Sequence, residues 1–171
     1  MNEVENRQRR CCFTGHRPEK LNMPEKTVIA WLETEILKAI DDGFVTFISG
    51  MARGVDIWAA EIVLRLRDEG KPIHLICASP FEGFERSWSE DWKSRYNEVM
   101  RRADLVKFVC KSYSRVCFQI RNEWMVDRST RVIAVYNGEP GGTKNTIQYA
   151  THRNCEVIST GSFLTFSNKE D

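Results

Sequence analysis

No run of the 171-residue sequence approaches the roughly 20 consecutive apolar residues that a membrane-spanning helix needs, so none is expected. The polar segment 1–10 lacks the apolar core of a signal peptide, and a cytoplasmic protein is expected. Net charge is nearly absent: Lys and Arg number 25 against 24 Asp and Glu, a formal +1. Domains that hold nucleic acid mainly by electrostatics carry a basic excess or stripe, so that role is disfavoured, though a local basic groove can hide within a neutral total. No C-x-x-C pair and no Cys/His set with zinc spacing occurs among Cys11, Cys12, Cys77, Cys110, Cys117 and Cys155, and no metal site is expected. Several of these cysteines sit inside apolar runs, at 11–13 and 75–77, where reduced thiols behave as small hydrophobes. Repeats, low-complexity tracts and linkers are missing as well. The chain therefore reads as one domain over 1–171, with a core at about 10–159 and a polar tail, 161–171, that frays.

What is present is an alternation of strands and helices, the pattern of a parallel sheet covered on both faces. Short apolar runs at 11–14, 45–48, 73–77, 105–109 and 131–136 predict strands, with a weaker sixth at 156–158. Between them, Val28, Leu32, Ile36 and Ile40 share one helical face, with Pro24 in the first turn and Gly43 as the stop. Val55, Ala59, Ile62, Val63 and Leu66 form the clearest apolar stripe, closed by Gly70 and Pro72. Trp88, Trp92, Tyr96 and Val99 also fall on one helical face and read as core rather than as a base-stacking platform. Helices over 119–129 and 143–152 complete the pattern.

In an open parallel sheet, ligands bind beyond the carboxyl ends of the strands. Three strand-end loops there carry unusual residues. The first is Thr14-Gly15-His16-Arg17-Pro18, where Gly15 permits a sharp turn and Arg17 offers a planar fork suited to phosphate. The second is Ser49-Gly50-Met51-Ala52-Arg53-Gly54-Val55-Asp56, which enters the best helix and aims amides and a positive helix end at one spot. It matches neither G-x-G-x-x-G nor the P-loop, so motif alone implies neither a dinucleotide nor ATP. Asp56, in the first helical turn, is either a cap-like stabiliser or a ligand contact, and the helix dipole should hold it ionised. The third is Glu139-Pro140-Gly141-Gly142-Thr143-Lys144-Asn145-Thr146, with Thr143 and Asn145 able to donate hydrogen bonds. Asn122, Asp127 and Arg128 mark one further segment; Asp127 and Arg128 are either a solvated pair or site-facing. His74 reads as a core or edge residue, and His152 as a helix end.

The blocks T-G-H-R-P, S-G-M-A-R-G-V-D-I-W-A-A-E, N-E-W-M-V-D-R-S and P-G-G-T resemble the YpsA/YoqJ-like branch of the SLOG superfamily, which also holds DprA and the LOG phosphoribohydrolases. The resemblance covers about 11–158 and implies a Rossmann-like three-layer α/β sandwich that binds nucleotides or nucleotide-derived molecules at these loops. It implies that Thr14, Gly15 and Arg17 line one wall, that Ser49, Gly50, Arg53, Gly54 and Asp56 hold phosphate or ribose, and that Gly141, Gly142 and Thr143 close the opposite side. His16, Met51, Asn122, Asp127 and Asn145 complete the expected ligand-binding set. LOG enzymes are similar in carrying P-G-G-x-G-T-x-x-E, but here Lys144 and Asn145 stand in place of Gly-Thr and Gln148 in place of Glu. Glutamine cannot act as a carboxylate base, so cleavage by that route is not expected.

The leading expectation is a binder, or sensor, of a nucleotide-like ligand, with Mg²⁺ accompanying the phosphate left open. Two alternatives stand beside it. One is a hydrolase of an N-glycosidic or phosphate bond, with Asp56 or Glu61 supplying the carboxylate. The other is a DprA-like module for single-stranded nucleic acid. A homo-oligomer is also left open.

Overall fold

Cys11, Cys12 and Phe13 are fully buried, which places the first strand at the centre of the sheet rather than at an edge. The computed structural model describes residues 2–160. Six strands, β1 (Arg10–Gly15), β2 (Thr46–Ser49), β3 (His74–Ser79), β4 (Leu105–Phe108), β5 (Arg131–Val135) and β6 (Glu156–Ser159), pair in parallel throughout, in the order β4-β3-β2-β1-β5-β6. The chain builds outward from β1 to β4 and then returns to the other side of β1. The switch point therefore lies between β1 and β5, beyond whose carboxyl ends a crevice opens.

Successive residues of a strand face opposite sides, and the two sides carry separate cores. Cys11, Phe13 and Phe47 pack with Leu32 and Ile36 of α2 (Glu25–Asp41), Ile57 and Val63 of α3 (Val55–Asp68), and Tyr96 and Val99 of α4 (Glu90–Arg102). Cys12, Ile48 and Val132 pack with Met125 and Val126 of α5 (Cys117–Asp127) and with Ala150 of α6 (Gly142–His152). This is the expected α/β Rossmann-like sandwich. All six cysteines are free and five are buried; burial pushes the thiols of Cys12 and Cys77 up to about 12. Among the described residues no helix is long and apolar enough to cross a membrane.

Three local expectations change. Residues 3–7 form a short helix, α1 (Glu3–Arg7), closed by a capping box: Asn2 Oδ1 accepts from the Glu5 amide at 2.9 Å, and the Glu5 carboxylate accepts from the Asn2 amide at 3.0 Å. Trp88 stands outside α4, which starts after Ser89, whose hydroxyl accepts from the Trp92 amide at 3.4 Å. Strand β4, expected within a sheet covered on both faces, is an edge strand with all four residues exposed. The tail 161–171 lies outside the described residues.

Candidate functional site

The loops after β1, β2 and β5 meet at the switch point around a cavity of about 370 Å³, within the roughly 300–1,000 Å³ typical of small-molecule sites. From the expected set, Thr14, Gly15, His16, Arg17, Arg53, Asp56, Asn122, Gly142 and Thr143 line it. Ser49, Gly50, Met51, Gly54, Asp127, Gly141 and Asn145 do not.

Gly15 serves a role different from the expected turn. A Cβ there would stand 2.5 Å from Val55 Cγ2, so its glycine lets the start of α3 pack directly on the end of β1. The adjoining His16 ring stacks on Tyr136 with centroids 5.7 Å apart, and its buried Nε2 has no partner among the described residues. Burial, with the charge of Lys20 added, lowers the His16 pKa, which favours a neutral imidazole.

The β2 loop is held from inside. The buried Ser49 hydroxyl donates to the Asp56 carbonyl at 2.8 Å and accepts from the Met51 amide at 3.3 Å. Met51 adopts φ 64°, and its fully buried side chain joins the core. These two residues shape the loop from within. Gly54 has φ 89°, and a Cβ on it would meet Pro18 Cδ at 2.9 Å, so a side chain at Gly54 disturbs loop packing before it obstructs any ligand.

Asp56 accepts the Ala52 amide on Oδ2 at 3.1 Å, while its buried Oδ1 has no partner among the described residues. Burial pushes this carboxyl up to about 6, against the opposing pull of Arg121 and the Ala52 amide. Desolvation thus works against the helix dipole expected to hold Asp56 ionised, and it raises the pKa without taking it above neutrality. Glu61, the other candidate carboxylate, faces elsewhere, paired with Arg95 at 2.5 Å in a groove with Ile29 and Trp58.

Arg121 of α5 was not singled out from the sequence. It is buried, its Nε donates to Asn122 Oδ1 at 2.8 Å, and its terminal amino group donates to the Gly50 carbonyl. Burial lowers its pKa, and Asp56 counters that effect. Gly50 is needed here because a Cβ would press on the guanidinium at 3.0 Å. With Arg17, Lys20 and Arg53, Arg121 gives the cavity four cationic side chains against one carboxylate, Asp56. Arg53 is partly engaged, 3.1 Å from Glu19.

At the β5 loop, Asn137 Nδ2 donates to the Lys20 carbonyl at 2.8 Å, tying this loop to the first. Gly141 precedes α6 without a side-chain cap, leaving first-turn amides to other partners. Asn145 and Gln148 are exposed on α6 and do not reach the cavity. Asp127 is directed away: it accepts from the Tyr149 hydroxyl at 2.7 Å and pairs with Arg153 at 3.1 Å. Arg128 instead lies 4.1 Å from the Trp124 ring centroid, so the two residues neither pair with each other nor face the site. A further surprise is an aromatic wall of Phe84, Trp88 and Phe118. Among the described residues, no group of three His, Cys, Asp or Glu side chains is placed to hold a metal.

Comparison with known proteins agrees with this architecture. The model of the YspA SLOG family matches residues 11–166. The chain is 27% identical over 167 residues to a UPF0398 protein of Bacillus cereus (strain B4264), covering 92% of this chain and 91% of that one. A UPF0398 protein of Bacillus thuringiensis (strain Al Hakam) is equally similar, with the same coverage. Among solved structures, DNA processing protein A of Helicobacter pylori, described for its single-stranded DNA binding mode, superposes with a TM-score of 0.64 at 18% identity, covering 92% of this chain and 66% of that one. DNA processing protein A of Streptococcus pneumoniae gives 0.63 at 14% identity over 89% of this chain, which spans only 50% of that protein. At these identities the structural likeness concerns the fold.

Proposed function

Because the chain belongs to the YspA SLOG family, we propose that it binds a nucleotide or nucleotide-derived molecule at the carboxyl ends of β1, β2 and β5. The observation that carries this reading is the concentration of charge. A chain of net charge +1 gathers four cations and one carboxylate around one cavity, with Arg121 buried in its wall. A desolvated guanidinium beside a glycine backbone favours a phosphate oxygen pair, and low-dielectric walls strengthen the attraction. The open Oδ1 of Asp56 is an acceptor suited to a ribose hydroxyl. Mg²⁺ accompanying the phosphate belongs to the same proposal. So does a sensing role, in which ligand is bound and returned unchanged.

A thermal-shift screen across nucleotides, dinucleotides and ADP-ribose tests this reading. At least one phosphate-bearing compound should stabilise the protein, and Arg17→Ala should reduce that shift while leaving the unliganded Tm nearly unchanged, since Arg17 is exposed. The reading fails if none of these compounds shifts Tm, or if the shift survives both Arg17→Ala and Arg53→Ala.

A second reading, a hydrolase of an N-glycosidic or phosphate bond, draws on Asp56. A carboxyl poised at about 6 is closer to the operating range of a general acid or base than an ordinary aspartate. Product analysis of each stabilising compound separates the two: recovered intact ligand supports binding, and breakdown at a steady rate supports turnover.

A further inference from the structure

Phe84 and Trp88 pack against the core, as the sequence led one to expect for Trp88, but with Phe118 they also border the cavity, where an aromatic surface is not needed to hold a phosphate. Phe84 and Trp88 are half-buried, and Phe118 is 36% exposed, yet all three line the same cavity as Arg121. They are braced against one another: Phe84 meets Trp88 edge-on at 4.9 Å and 74°, and meets Phe118 at 5.6 Å and 53°. Trp88 is in turn held edge-on by buried Tyr96 at 5.5 Å. Such a set presents a rigid apolar surface to whatever enters, at little cost in side-chain entropy.

The spacing of this surface from the charged groups is set by one helix. Phe118 lies three residues before Arg121 and four before Asn122 on α5, so the three share a face, with about 5–6 Å between Cβ atoms. An aromatic face and a cation one helical turn apart match a ligand that is flat and apolar at one end and anionic at the other. We propose that the Phe84–Trp88–Phe118 wall is a nucleobase subsite and that the ligand is a base-bearing mononucleotide, its base stacked on these rings and its phosphate toward Arg121 and Arg17. This rests on the phosphate-binding reading above and adds the class of ligand. Two further features support it. The cavity, at about 370 Å³, is near the lower end for small-molecule sites, which suits one nucleotide better than a dinucleotide. Asn122, beside Arg121 in the lining, supplies an amide with both donor and acceptor atoms for a base or ribose edge.

The test is calorimetric titration with AMP, UMP, ribose 5-phosphate and inorganic phosphate, on wild type, Phe118→Leu and Phe84→Leu. Stacking is sequence-tolerant and stronger for larger rings, so AMP should bind tightest, followed by UMP, with ribose 5-phosphate at least tenfold weaker than AMP. Phe118→Leu, a change at a partly exposed ring, should weaken AMP about tenfold and leave ribose 5-phosphate unchanged. Phe84→Leu should act in the same direction, with the unliganded Tm reporting any separate loss of packing. Equal binding of AMP and ribose 5-phosphate, with both variants at wild-type affinity, overturns the base subsite and leaves phosphate binding standing. No binding by any of the four overturns both. A short single-stranded oligonucleotide that binds far more tightly than AMP also overturns the mononucleotide assignment.

Discussion

At the scale of single residues, the central question is how Asp56 tolerates burial. Its two oxygens are treated unequally: Oδ2 takes the Ala52 amide at 3.1 Å, and Oδ1 takes nothing from the described residues. Arg121 favours the charged form, but desolvation is the larger effect, and the carboxyl titrates at about 6. A folded-state pKa above the unfolded one means that the native state binds the proton more tightly. Stability from this group is then greatest below the unfolded value and is lost as pH rises through about 6. Asp56→Asn mimics the neutral carboxyl, so its stability relative to wild type should grow between pH 5 and pH 8 by about 1–1.5 kcal/mol, the part of a two-unit shift that remains above pH 5. Urea melts of both proteins at the two pH values check this; a difference independent of pH would show that Asp56 is ionised throughout. Asp56 was legible in the sequence because it follows a glycine loop at a helix start. Its partner was not. Arg121 lies 65 residues away in a helix without a clean apolar stripe, where Cys117, Arg121, Met125 and Val126 are the buried residues. A buried arginine in such a pattern reads as a solvated one until packing brings Gly50 and Asp56 to it.

At the scale of elements, the five main strands and the helices between them were legible because parallel strands covered on both faces form continuous apolar runs. The loops were legible for a related reason: clusters of glycines and cations at strand ends break the apolar pattern on either side. Three features escaped. α1 is announced only by the Asn2 and Glu5 pair, easily taken for an ordinary polar terminus. The β4 run is as apolar as its neighbours although it is an exposed edge. The aromatic wall gathers Phe84 and Trp88 from the segment before α4 and Phe118 from α5, which share no sequence period. The site also depends on how closely α3 approaches β1. Gly15 faces Val55 so tightly that Gly15→Ala would place a methyl 2.5 Å from Val55 Cγ2, an overpacking expected to cost about 1–3 kcal/mol. Pairing it with Val55→Ala should recover part of that loss. A double-mutant cycle from denaturant melts should then give a favourable coupling of about 1 kcal/mol. Strict additivity would mean that the helix shifts freely and that the glycine is not what seats it.

At the scale of the whole molecule, near-neutrality and a cationic cavity make a combined statement about binding. A chain of formal charge +1 exerts little long-range attraction on an anion, so its pull must be local. Arg17, Lys20, Arg53 and Arg121 supply it around one cavity, with Asp56 the single opposing carboxylate among the described residues. Partly exposed cations such as Arg17 are screened by salt, since the Debye length falls from about 10 Å at 0.1 M to about 3 Å at 1 M. Arg121, buried beside Gly50, is screened far less. Salt should therefore remove only part of the phosphate affinity. Between 0.1 and 1 M NaCl, AMP affinity should fall by about tenfold, the order expected for one to two kcal/mol of exposed charge interaction. Adenosine, which lacks the phosphate and relies on the aromatic wall, should bind no more weakly at high salt, because salting-out favours apolar burial. Titrations of the two ligands across this range measure both slopes. Parallel loss of AMP and adenosine affinity would show that salt acts on the fold rather than on the charges lining the cavity.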